Sequence, residues 1–152
     1  MDGSTDGVRE LFHVGLCVAD IERSLRFYRE VVGMELRERH SRESARFDEL
    51  SGNHRTKTST AYLTHGSFTL QLIQYDRAGG TPLALQHNKI GCAHLCFYVE
   101  DVRREFERVS SLPWVTVTSS VVVLNDSMTS FYTVDPDGVP VELLELTGPP
   151  PF

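Results

Sequence analysis

The chain has 152 residues, of which 40% are hydrophobic and 24% charged, and a formal net charge of −6. This balance predicts one ordinary water-soluble domain with a sizeable core and excludes a fibre, a disordered chain or a membrane protein. The acidic charge argues against a general nucleic-acid-binding face, which needs a basic patch, and leaves small molecules as the expected partners.

The opening MDGSTDG has neither a basic start nor an apolar run, so no secretory leader is expected and the protein is predicted to be cytoplasmic. Residues 11–19 read as a strand in which His13, Gly15 and Cys17 face one side and Val14, Leu16 and Val18 the other. Asp20 is placed to cap a helix whose apolar stripe is Ile21, Leu25, Tyr28 and Val32, with Gly33 as its left-handed stop. Residues 34–40 and 58–64 read as strands, joined by a polar connection. Arg37, Arg39, Arg42, Arg46, Arg55 and Lys57 fall in this region together with His40 and His54. The cluster reads as a solvated hairpin or as a rim that attracts an anionic substrate.

Residues 67–75 close the first half as a strand, and the segment with Gly79, Gly80 and Pro82 reads as a linker. A second strand with His94 then leads into a helix capped by Asp101 and ended by Pro113 at the latest. Residues 115–123, 131–134 and 139–146 are expected as strands, with turns at 125–127 and at the DPDG of 135–138. Cys17, Cys92 and Cys96 lack the spacing of a zinc knuckle or redox pair and read as reduced, mainly core residues. Cys96 shares strand parity with His94, so it is also a candidate lining residue.

The chain repeats itself. Aligning ELFHVGLCVAD (10–20) with GCAHLCFYVED (91–101) sets His13 over His94, Asp20 over Asp101 and Arg23 over Arg104. Aligning LQLIQY (70–75) with VELLEL (141–146) sets Gln71 over Glu142. Two imidazoles, a carboxylate and an amide oxygen at equivalent points of two repeats suit a divalent ion such as Zn, Ni, Co, Mn or Fe. Each histidine also has a purely structural reading as a core residue, and Gln71 one as an amide bonded to backbone. A lone Glu142 among Val141, Leu143 and Leu144 would be costly to bury, a cost that a cation relieves.

Through HVGLCVADIERSLRFYREVVG, HLCFYVEDV and DPDGVPVELLE, the chain resembles the vicinal oxygen chelate superfamily: glyoxalase I, methylmalonyl-CoA epimerase, extradiol dioxygenases, and fosfomycin- and bleomycin-resistance proteins. The resemblance implies an α+β fold of two tandem βαβββ modules forming a curled mixed sheet around a metal cleft. It implies one domain, with a first module at about residues 10–76, a linker at 77–90 and a second module at about 91–147. It also implies metal ligands at His13, Gln71, His94 and Glu142, and a homodimer.

The quartet is similar to that of some epimerases, whereas glyoxalase I more often has Glu where Gln71 stands. The chemistry expected is Lewis-acid activation of a carbonyl or thioester, with Glu142 as the base that moves the adjacent C–H proton and with Glu43, Asp48 or Glu49 as candidates for a second base. The alternative enzyme is an Fe(II) extradiol-type dioxygenase. FYTVDPDGVPVE resembles that signature, with Tyr132 as its tyrosine, but a histidine expected shortly before it is missing around Val123–Asn125. A metal-free small-molecule binding or resistance protein is the third reading.

Overall fold

The computed structural model describes residues 7–149; the expectations for the first six residues and for the last three lie outside it. The chain forms two compact units. One contains the residues up to Ile21 together with Met34–Gly79, and the other contains Glu22–Gly33 with the residues from Gly80 onward.

The first unit is a four-stranded sheet ordered β1-β4-β3-β2, built from β1 (Val14–Cys17), β2 (Glu35–Arg42), β3 (Lys57–His65) and β4 (Phe68–Arg77). Strand β1 runs parallel to β4 and the other pairs are antiparallel. Leu70 and Leu72 are fully buried on one face of β4, beside Ala61 and Leu63 of β3. By strand alternation Gln71 therefore lies on the opposite face.

The second unit repeats the plan with β5 (Leu95–Tyr98), β8 (Met128–Val134) and β9 (Pro140–Leu146) in the order β5-β9-β8, and with the short strands β6 (Thr116–Val117) and β7 (Val122–Asn125) both pairing with β8. Its helices are α1 (Ile21–Glu30) and α3 (Val102–Ser110). Leu25, Phe27, Tyr28, Val102, Val109, Phe131, Val141 and Leu143 form the apolar core. The mixed α+β class and the duplicated strand-helix-sheet plan are those expected from the sequence.

Both helices start in the same way. The Ile21 N–H donates to Gln74 Oε1 at 2.7 Å, and the Val102 N–H donates to Glu145 Oε2 at 2.9 Å. Each helix thus has an amide that its own first turn cannot satisfy bonded to a side chain from the last strand of its repeat. Asp101 caps α3 as predicted, accepting from the Arg103 and Arg104 amides. At the other end of α1, the Arg108 guanidinium donates to the carbonyls of Glu30 and Val31, neutralising the negative end of the helix.

Four details differ from the sequence reading. The polar connection contains a further helix, α2 (Ala45–Ser51), none of whose residues is buried; Ser44 precedes it in extended conformation and Gly52 ends it at φ 69°. Helix α1 stops at Glu30, so Val31 rather than Val32 fills the core position. The strand expected at 115–123 breaks into β6 and β7, because the Thr118 and Ser119 amides both turn to the Tyr132 carbonyl while Ser119 Oγ accepts the Tyr132 amide. Finally, Cys17 and Cys96 are exposed, not core. They sit on the alternate positions of β1 and β5 that face away from Leu16 and Phe97.

Candidate functional site

Each unit holds half of the predicted ligand set, built on the same cross-strand row. In the first unit Gly15, Gln71 and Tyr62 stand directly opposite one another on β1, β4 and β3. The Gln71 Nε2 amide donates to the Tyr62 hydroxyl at 2.7 Å, which leaves the carbonyl Oε1 as the free end of the side chain. A Cβ placed on Gly15 would come within 3.2 Å of that Oε1 and 4.0 Å of His13 Cδ2. The glycine therefore keeps open the space beside the amide oxygen and the Cδ2 edge of the imidazole.

His13 directly precedes β1, and its Nδ1 is buried without a hydrogen-bond partner. A buried, unsatisfied ring nitrogen costs about 1–3 kcal/mol, and such a cost is tolerated chiefly where a ligand or strained chemistry needs it. The imidazole meets the Tyr62 ring edge-on at 5.8 Å, and the His40 ring lies 6.0 Å from the same tyrosine.

In the second unit the equivalent row is Cys96, Glu142 and Tyr132 on β5, β9 and β8. Glu142 is 8% exposed. The Tyr132 hydroxyl donates to its Oε2 at 2.9 Å, and His94 Nε2 stands 3.6 Å from the same oxygen. Burial, followed by the hydrogen bond and charge of Glu142, pushes the Tyr132 phenol well above its ordinary range. The Cys96 thiol is pushed up to about 12 by desolvation and then by the Glu142 charge. With no cation at Glu142 it stays protonated at neutral pH. As the parity argument allowed, it flanks the carboxylate.

Two aromatic rings were missed in the sequence, one in each unit. Tyr62 matches Tyr132 in register, and His87, from the segment read as linker, packs edge-on against Tyr132 at 4.4 Å and lies 6.4 Å from His94. Beside His87 and Tyr132 opens a cavity of about 460 Å³ lined by Leu85, His87, Ser119, Tyr132, Val134 and Pro140.

The donor chemistry fits a divalent ion. One half presents an imidazole and an amide oxygen, the other an imidazole and a carboxylate, all borderline or hard donors. Among the described residues no group of three or more His, Cys, Asp or Glu is placed to hold a metal ion, so neither half makes a three-ligand site of its own.

The candidates for a second base are differently placed. Glu43 is ion-paired with Arg77, and the hydrogen bond and charge of that guanidinium hold its carboxyl below the usual range. Asp48 accepts from the Thr56 hydroxyl and from the Thr56 and Arg55 amides, which lower its pKa and make it a loop clamp. Glu49 is exposed on α2. In the basic cluster, Arg37 is occupied by Glu35 and Thr64.

Comparison with known proteins gives the family and the fold. Residues 10–143 match the family model described as the Glyoxalase/Bleomycin resistance protein/Dioxygenase superfamily. A lactoylglutathione lyase of Neisseria meningitidis is 27% identical over 144 residues, covering 89% of each chain. The fold matches that of a glyoxalase family protein from Bacillus cereus with a TM-score of 0.81 at 19% identity, over 93% of this chain and 99% of the other. It matches the trypanothione-dependent glyoxalase I of Leishmania major with a TM-score of 0.64 at 23% identity, over 91% and 87% respectively.

Proposed function

The chain belongs to the Glyoxalase/Bleomycin resistance protein/Dioxygenase superfamily, and from that premise we propose that it is a divalent-metal-dependent enzyme that stabilises an enolate of a carbonyl or thioester substrate, acting as an epimerase or as a glyoxalase-type lyase. The observation that carries the reading is the pair of matched rows, Gly15-Gln71-Tyr62 and Cys96-Glu142-Tyr132, each preceded by a histidine. A drug-sequestering protein has no use for a buried carboxylate and two imidazoles set in register.

His13, Gln71, His94 and Glu142 are the residues that would hold the ion. When bound, Zn, Ni, Co, Mn or Fe supplies Lewis acidity to a substrate carbonyl and so lowers the cost of losing the neighbouring C–H proton. Glu142 takes that proton. The Tyr132 hydroxyl holds one of its oxygens in place. The cavity beside Tyr132 accommodates the part of the substrate that does not react. The basic stretch between residues 37 and 57 favours an anionic substrate.

One observation favours the dioxygenase alternative. A histidine from outside the extradiol signature, His87, packs edge-on against Tyr132. A metal-free binding protein remains the third reading.

Metal analysis of protein purified without chelators tests the proposal. About one divalent ion per chain is expected, and His94→Ala should lose stoichiometric metal while remaining folded. Unchanged metal content in that variant refutes the ligand assignment. A homodimer is part of the same reading, since Val8, Leu11 and Phe12 form an exposed apolar stretch just before β1. Light scattering at micromolar concentration should give twice the chain mass, and a monomer refutes the assembly. No helix among the described residues is long and apolar enough to cross a membrane.

A further inference from the structure

We propose that Tyr62 is a positioning residue that sets which end of the Gln71 amide faces a divalent cation, and that Tyr132, its counterpart in the other repeat, has no such role. The inference rests on the metal-dependent reading above.

A primary amide has two unequal ends. Its carbonyl oxygen can ligate a hard cation, whereas its NH2 group, with the lone pair delocalised into the carbonyl, cannot. A side-chain amide used as a ligand therefore needs its NH2 end occupied elsewhere. Tyr62 meets that need: its oxygen accepts from Gln71 Nε2 at 2.7 Å, and the opposite end, Oε1, points to the space over Gly15 that the His13 ring also borders. Donation from the nitrogen also places more negative charge on the carbonyl oxygen, which makes it a better ligand.

In the second unit the same cross-strand neighbour makes a hydrogen bond of opposite direction. Tyr132 donates to Glu142 Oε2. A carboxylate has two equivalent oxygens, so no end has to be chosen, and the tyrosine's proton occupies a lone pair that a cation would otherwise use. The repeat thus conserves the place of the ring while the amide-for-carboxylate exchange reverses what its hydroxyl does.

The test is a double-mutant comparison read by binding alone. Co(II) affinity is measured by competition with a fluorescent chelator, and the visible spectrum of bound Co(II) is recorded alongside. Tyr62→Phe should weaken Co(II) about tenfold, the lower end of the range for losing a hydrogen-bond partner behind a ligand. In a Gln71→Glu background, where either oxygen can ligate, Tyr62→Phe should weaken it less than about twofold. Tyr132→Phe should leave Co(II) affinity unchanged or raised. Equal penalties for Tyr62→Phe in the two backgrounds mean that the ring only packs, and overturn the proposal; so does no penalty in the Gln71 protein. A protein with native Gln71 and Tyr62 that binds no Co(II) overturns the metal reading itself, an outcome distinct from the other two.

Discussion

Gln74 and Glu145 do the same work at the same place in the two repeats: each, three residues beyond Gln71 or Glu142, reaches from the last strand to accept the first amide of the preceding helix. One strand therefore presents a ligand-type side chain on one face and, three residues on, anchors a helix from the opposite face. A change at the anchor should disturb the strand that carries the site.

This coupling gives the first prediction. Removing a side-chain acceptor from a helix start costs about 1 kcal/mol, so Gln74→Ala and Glu145→Ala should each lower stability by about that amount. The acceptor-retaining changes Gln74→Glu and Glu145→Gln should restore most of it. Urea unfolding of the four variants checks this. Equal loss for the alanine and the conservative changes would show that the hydrogen bonds are incidental.

The second prediction concerns Asp135 in the DPDG turn. Its Oδ1 accepts the Asp137 and Val139 amides and its Oδ2 the Tyr28 hydroxyl, yet burial outweighs these bonds and raises its pKa. A carboxyl that binds its proton more tightly when folded contributes stability that is fully present below the unfolded pKa, about 4. That contribution is lost as pH rises through the higher folded value. Asp135→Asn keeps an oxygen for the two amides and can donate its NH2 to Tyr28, while it no longer titrates. The variant should therefore gain on the parent protein between pH 4 and pH 7, measured as the difference in urea midpoint at each pH. A constant difference would show that the turn aspartate carries no raised pKa.

The duplication made the site legible. Repeated sequence placed His13 with His94 and Gln71 with Glu142, and the sheets put the last two at matching register positions. Tyr62 escaped notice because the two hairpins differ: β3 and β4 are joined by Gly66 and Ser67 alone, whereas Asp135–Val139 separates β8 from β9. Matching strand ends therefore does not align the strand before them. Helix α2 carries no buried stripe, so periodicity had nothing to detect. The cysteines were assigned by residue type, but strand parity, which was also readable, sets them on the face of the histidines. His87 reaches Tyr132 from a segment without secondary structure, and only tertiary folding brings it there.

The last prediction separates the two enzyme readings through Glu142, which both assign to the metal but only one requires as a base. In the structure, the carboxylate is held by Tyr132 and flanked by His94 and Cys96. Glu142→Gln keeps an oxygen donor there and gives the second unit the amide-tyrosine pair already present in the first, so the variant should retain much of its metal. It can no longer take a proton, and a positioned base contributes about 100-fold or more, so solvent exchange at the substrate carbon should fall by at least that factor. The measurement uses protein reconstituted with Co(II) or Ni(II), without oxygen, incubated in D2O with acyl thioesters or hemithioacetals, with the α-hydrogen followed by NMR. Exchange that needs Glu142 and is indifferent to oxygen supports enolate chemistry. If the protein is a ring-cleaving oxygenase, none of these compounds exchanges. The Fe(II) form instead consumes oxygen on a catechol, and Tyr132→Phe and His87→Ala slow that reaction. That second pattern would reverse the order of the two readings.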